Sequence, residues 1–126
     1  MHDAISAPYW AAAELGLLHL QQCTECGRRR HYPQHLCPVC HSPKYEWIEA
    51  SRRATLHSWT MVHHAFDPAF ATDVPYTVVI ADLEEGPRLA ARLPTGGGGM
   101  LQIGRPLHLQ TGRAPDGTPI WVAVLV

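Results

Sequence analysis

Cys23-Thr24-Glu25-Cys26 and Cys37-Pro38-Val39-Cys40 contain all four cysteines of the chain, as two matching pairs with ten residues between them. A Cys-x-x-Cys turn brings two sulfurs within reach of one ion. Two such turns complete the tetrahedral four-thiolate shell that zinc takes in structural sites. The spacer is shorter than common zinc-site spacings but long enough for a small hairpin between two knuckles. Gly27 follows the first pair, where the chain commonly turns through positive φ. His41 follows the second, and histidine tolerates that region. Four thiolates leave no open coordination position, so Cys23, Cys26, Cys37 and Cys40 are expected to hold a structural Zn2+. Such a site contributes roughly 10–16 kcal/mol to folding.

Other readings of the pairs explain less. Two disulfides would suit a secreted chain, but residues 1–13 lack the basic start and apolar run of a secretory signal, and a cytoplasmic location is expected. A thioredoxin-type redox motif leaves the second pair unexplained. His31, His35 and His41 lie nearby as alternative ligands, yet four sulfurs already fill the shell.

Working outward, Pro8 suits the first position of a short helix, Trp10-Ala11-Ala12-Ala13-Glu14-Leu15 continue it, and Gly16 stops it. Leu17, Leu18 and Leu20 lead into the first knuckle as a strand, and Arg28-Arg29-Arg30-His31-Tyr32 returns towards the second. Residues 44–49 alternate as a strand with one buried face. Composition changes near Ala50 and Ser51, giving expected units of 1–50 (helix and zinc ribbon) and 51–126 (barrel). Strands are expected over 56–63, 76–83 (buried on both faces), 88–93, 107–111 and 120–125. Turns are signalled at Glu84-Glu85-Gly86-Pro87 and Ala114-Pro115-Asp116-Gly117. Five short strands with no helix to cover a sheet call for closure. The expected fold is therefore mainly β, a four-cysteine ribbon followed by a five-stranded OB-fold barrel, with an SH3-like barrel as the alternative.

The order helix, ribbon, barrel resembles the small OB-fold proteins with an N-terminal rubredoxin-like zinc ribbon that accompany acyl-CoA enzymes. The segments that carry the likeness are Pro8-Tyr9-Trp10, Leu20-Gln21-Gln22-Cys23, His63 through Phe66 with Pro68 and Phe70, Pro75-Tyr76, Glu85-Gly86-Pro87-Arg88 and Ile103-Gly104. The resemblance implies a non-catalytic accessory subunit of a thiolase, thiolase-like aldolase or CoA-thioester hydratase, with a barrel that binds or encloses part of the acyl-CoA. It also implies a hetero-oligomer. Two departures stand out: four consecutive glycines within residues 95–100, and His41 where relatives carry glycine.

A formal net charge of −1 argues against a nucleic-acid backbone as main partner, although OB-folds and zinc ribbons often serve that role and a single-stranded nucleic-acid module is the alternative function. No run is long enough to cross a membrane. Lys44 is the only lysine beside nine arginines, and arginine's planar fork suits phosphate. Arg52 and Arg53, where ribbon meets barrel, and Arg28 to Arg30 on the ribbon hairpin are the candidate phosphate contacts. Phe66 and Phe70 either close the barrel or face the acyl chain or partner. His63 and His64 are strand neighbours that point to opposite faces, so they do not readily serve one acid–base site; a role for either would need a site completed by another subunit. Ser58 and Thr60 carry no activating motif. Gly96 to Gly99 lacks the following Lys-Ser/Thr and helix of a phosphate loop. With Tyr76 from the resemblance, the expected acyl-CoA or partner contacts are Arg52, Arg53, His63, His64, Phe66, Phe70 and Tyr76.

Overall fold

Alternation builds the barrel: Leu107 and Leu109 are buried while Pro106 and Gln110 face out, and Ala54 and Leu56 repeat the pattern on the neighbouring strand. The computed structural model describes residues 4–62, 76–93, 101–114 and 117–126. Its elements are α1 (Ala7–Glu14), β1 (His19–Cys23), β2 (Arg29–Arg30), β3 (Tyr45–Glu49), β4 (Arg53–Val62), β5 (Tyr76–Leu83), β6 (Arg88–Leu93), β7 (Pro106–Arg113) and β8 (Pro119–Leu125).

β1 is the centre of a three-stranded sheet in the order β2-β1-β3, with Gln21 opposite Arg30 and Leu20 opposite Ile48. The remaining strands close in the order β4-β5-β6-β8-β7. β4 pairs antiparallel with both β5 and β7, and β6 meets β8 in parallel at Arg92 and Val122. This is the five-stranded OB-type closure, and it sets aside the SH3-like alternative. On β5 one face is fully buried (Val79, Ala81, Leu83), while Val78 and Ile80 opposite are only half-buried, so the expected two-sided burial is partial.

Helix α1 starts one residue before Pro8, and Gly16 ends it at φ 79° with its N–H on the Ala13 carbonyl. Tyr9, Ala12 and Ala13, spaced i, i+3, i+4, form its buried face. That face joins Leu18, Leu20 and Ala50 to the barrel interior in one continuous core with Leu56, Val79, Leu107, Leu109 and Trp121. The Trp121 indole donates to the Tyr9 hydroxyl at 2.8 Å in this core. At the surface Arg113 forks onto Glu14 at 2.6 and 3.0 Å. Sheet membership changes over residues 50–52, but the buried core runs straight across that change.

Candidate functional site

The two knuckles have the same backbone geometry. Gly27 N–H donates to the Cys23 carbonyl at 2.9 Å, and His41 N–H to the Cys37 carbonyl at 2.9 Å. Cys23 N–H reaches the Arg28 carbonyl at 2.8 Å as Cys37 N–H reaches that of Ser42 at 3.0 Å. Gly27 (φ 81°) and His41 (φ 62°) both occupy the left-handed region, as their positions after each pair lead one to expect. The four Sγ atoms lie within 4.8 Å of one another, with Cys23 to Cys40 at 3.5 Å and Cys26 to Cys37 at 3.6 Å. A zinc–sulfur bond of about 2.3 Å in a tetrahedron needs sulfurs about 3.8 Å apart, so the cage fits the ion.

Electrostatics agrees. The N–H groups of Cys40 and Val39 hold the Cys37 thiol down at about 6, and those of Cys26 and Glu25 lower that of Cys23. Cys40, although the Ser42 N–H favours its thiolate, is pushed up to about 12 by desolvation and by the Cys23, Cys26 and Cys37 sulfurs. Four thiolates in one cage therefore require a cation. All four positions are protein sulfur, so the ion's role is structural, and among the described residues no histidine enters the cage.

Two hollows meet at His31. The first, about 330 Å³, lies between an aromatic wall (Tyr9, Trp10, Tyr32) and the outer faces of β5, β6 and β8, including Val78, Ala90 and Ile120. Edge contacts stiffen the wall: Tyr9 to Trp10 at 5.0 Å and Tyr9 to Tyr32 at 5.6 Å between ring centroids, with the Trp10 indole donating to the Tyr32 hydroxyl at 2.9 Å. At its rim the Arg92 guanidinium lies 4.1 Å over the Tyr76 ring. The second hollow, about 530 Å³, is polar and lined by Arg28, Arg29, Arg30 and Gln34 on the ribbon and Asp82 and Arg88 on the barrel. Burial pushes the His31 imidazole down to about 4, so it is neutral at pH 7. Burial likewise holds the Tyr9 phenol up at about 12.

Of the contacts expected from sequence, Tyr76 lines the aromatic pocket. Arg52 adopts φ 66° and donates from Nη1 to the Gly16 carbonyl at 3.1 Å, tying the helix end to the barrel. Arg53 forks onto Glu84 at 2.6 and 3.3 Å at the surface. His63, His64, Phe66 and Phe70 lie outside the described residues. Arg28 to Arg30, read as possible phosphate contacts, all border one cleft, although Arg29 and Arg30 project from opposite faces of β2. The aromatic wall escaped the sequence reading, although Pro8-Tyr9-Trp10 marked it. His57 Nδ1 stands 3.4 Å from Asp82 Oδ2, whose other oxygen accepts from Arg88 at 2.7 Å. Among the described residues no hydroxyl or thiol is hydrogen-bonded to that pair.

Comparison with known proteins places these features. Residues 10–46 match the model of the ChsH2 rubredoxin-like zinc ribbon domain, and residues 47–111 that of the ChsH2 C-terminal OB-fold domain. The chain is 34% identical over 104 residues to a probable enoyl-CoA hydratase alpha subunit of Thermomonospora curvata, covering 82% of this chain and 32% of that one. It is 29% identical over 84 residues to a DUF35 domain-containing scaffold protein of Methanothermobacter thermautotrophicus, covering 66% of this chain and 62% of the relative. The chain thus spans under two thirds of either relative's length. Among solved structures it superposes on a chain of an Ltp2-ChsH2(DUF35) aldolase with TM-score 0.82 and 30% identity, covering 97% of this chain and 94% of that one. With ribbon and barrel matched in the same order along nearly its whole length, the chain belongs to the ChsH2 family of zinc-ribbon and OB-fold proteins.

Proposed function

We propose that this protein is a non-catalytic accessory subunit that docks on a thiolase-fold, aldolase or hydratase enzyme of CoA thioesters and helps hold the substrate. The observation that carries this reading is the near full-length likeness to a chain of an Ltp2-ChsH2(DUF35) aldolase. The geometry supports it in two ways. The metal cage is closed, so it offers no Lewis-acid position. Beside it an aromatic pocket adjoins a cationic cleft, an arrangement suited to a narrow apolar arm ending in phosphate. Residues 1–50 then serve as the helix-and-ribbon unit and 51–126 as the barrel. The assembly is a cytoplasmic hetero-oligomer with no nucleic-acid or membrane partner. Among the described residues no helix is long and apolar enough to cross a membrane.

The test is pull-down with the tagged chain, followed by mass spectrometry. Recovery of a thiolase-like, aldolase or hydratase subunit in stoichiometric amount is expected. Recovery of none, from cells that express such an enzyme beside this chain, would refute the assignment.

A further inference from the structure

The cleft beside the ribbon carries more positive charge than its own walls balance. Asp82 is its one lining carboxylate among the described residues, and both of that group's oxygens are taken, one by Arg88 at 2.7 Å and one facing His57 at 3.4 Å. Arg28, Arg29 and Arg30 pair with no carboxylate among the described residues. Arg29 donates to the neutral Gln22 side chain at 3.2 Å. Arg30 is the informative member, because it is only 5% exposed. Its Nε donates to Gln21 Oε1 at 2.8 Å and its Nη2 to the Gln34 carbonyl at 3.1 Å, both neutral acceptors, and the Tyr45 ring lies 5.4 Å from its centre.

Two buried donors beside it, Arg30 Nη1 and Gln21 Nε2, have no acceptor among the described residues. Buried charge is ordinarily paired, and a buried donor is ordinarily satisfied. An anion in the cleft would balance Arg30 and the nearby Arg28, whereas Arg29 follows the opposite face of β2 onto Gln22. A forked guanidinium donates two parallel hydrogen bonds, which matches the oxygens of phosphate, and two such groups favour a multiply charged anion over a single carboxylate. The cleft's 530 Å³ exceeds the size of a lone phosphate, and through His31 it borders the aromatic pocket. Both facts suit a phosphate carried on a larger molecule.

We propose that the cleft between the ribbon hairpin and β5–β6 is a phosphate-binding site, with Arg30 as its buried anchor and Arg28 as its outer donor. This deepens the reading above by assigning the phosphate end of a thioester ligand to this chain, and it rests on that reading only for the ligand's identity.

The zinc-loaded full chain, without a partner, is titrated calorimetrically at low ionic strength with CoA, dephospho-CoA, pantetheine and inorganic phosphate. CoA should bind, pantetheine should bind far more weakly, and added salt should weaken CoA binding. Arg28→Gln and Arg30→Met should each cost about tenfold or more in affinity. Arg113→Gln, whose partner Glu14 lies outside the cleft, should cost nothing. Dephospho-CoA weaker than CoA would single out the 3′-phosphate. Inorganic phosphate binding as tightly as CoA would make free phosphate the source of the recognised group. Should Arg30→Met lose zinc or secondary structure, Arg28→Gln decides, since Arg28 is exposed. Absence of binding by every phosphate probe at millimolar concentration, or affinity unchanged in Arg28→Gln, overturns the proposal. None of these readings needs the partner enzyme, so a failed pull-down and a failed titration are separate results.

Discussion

Stripping the metal should weaken the barrel as well as the ribbon. The cage fixes Cys23 at the end of β1, and β1 carries Leu20 (1% exposed) into the common core, with Leu18 (0%) just before it. Fully burying a leucine contributes about 1.5–3 kcal/mol, so a β1 loosened by chelation withdraws roughly 3–6 kcal/mol from packing shared with Leu56, Leu107 and Trp121. For a cooperative chain of this size, 1 kcal/mol moves Tm by about 3–5 °C, and a fall of at least about 9 °C is expected. The assay is differential scanning calorimetry with and without a strong chelator, alongside hydrogen exchange of the β7 and β8 amides. Zinc readdition should restore both. Leu20→Ala with metal retained should cost about 2–5 kcal/mol by the same packing route. A barrel transition and β7–β8 protection that ignore chelation would refute the argument, because the ribbon would then be an independent unit.

Tyr9→Phe leaves the Trp121 indole N–H (residue 6% exposed) without its acceptor and should cost about 1–3 kcal/mol in urea unfolding. His41→Gly relieves a left-handed residue at φ 62° and should stabilise by about 0.5–1 kcal/mol, whereas Gly27→Ala at φ 81° should destabilise by about 1–2 kcal/mol although a new Cβ would meet no atom within 4 Å. His31 is depressed to about 4 in the fold, so its neutral form contributes stability that is complete above the ordinary histidine pKa of 6.5 and lost as pH falls towards 4. His31→Phe should flatten the pH dependence of unfolding between those limits by up to about 3 kcal/mol relative to the parent chain. An unchanged slope would mean that His31 is better solvated than its surroundings imply.

Much of this architecture is legible in the residue order, and the reasons are local. The doubled Cys-x-x-Cys spacing encodes the cage and both positive-φ positions, because each knuckle satisfies its own backbone within six residues. β5 and β6 have the bounds expected from sequence, although the apolar run of β5 reads as burial on both faces and only one face is deeply buried. The groove is not legible in this way. Its walls join Tyr9, Trp10 and Tyr32 to Val78 and Ile120, and only tertiary packing brings such distant positions together. Arg30 misleads for a related reason. Three successive arginines give no sign of which is buried, yet β2 pairing turns Arg30 inward onto Gln21 while Arg29 stays outside. Arg52 has a structural tie that its sequence position does not signal: its guanidinium donates to the Gly16 carbonyl at the end of α1.

The central claim is that this chain acts through another enzyme and turns over nothing itself. The direct measurement compares CoA-thioester turnover by the purified chain, by its co-purifying enzyme, and by the reconstituted pair. The account predicts no turnover by the chain alone, and higher turnover or prolonged activity of the enzyme when the chain is present. Thioester turnover by the isolated chain, or an enzyme indifferent to its presence, would contradict it.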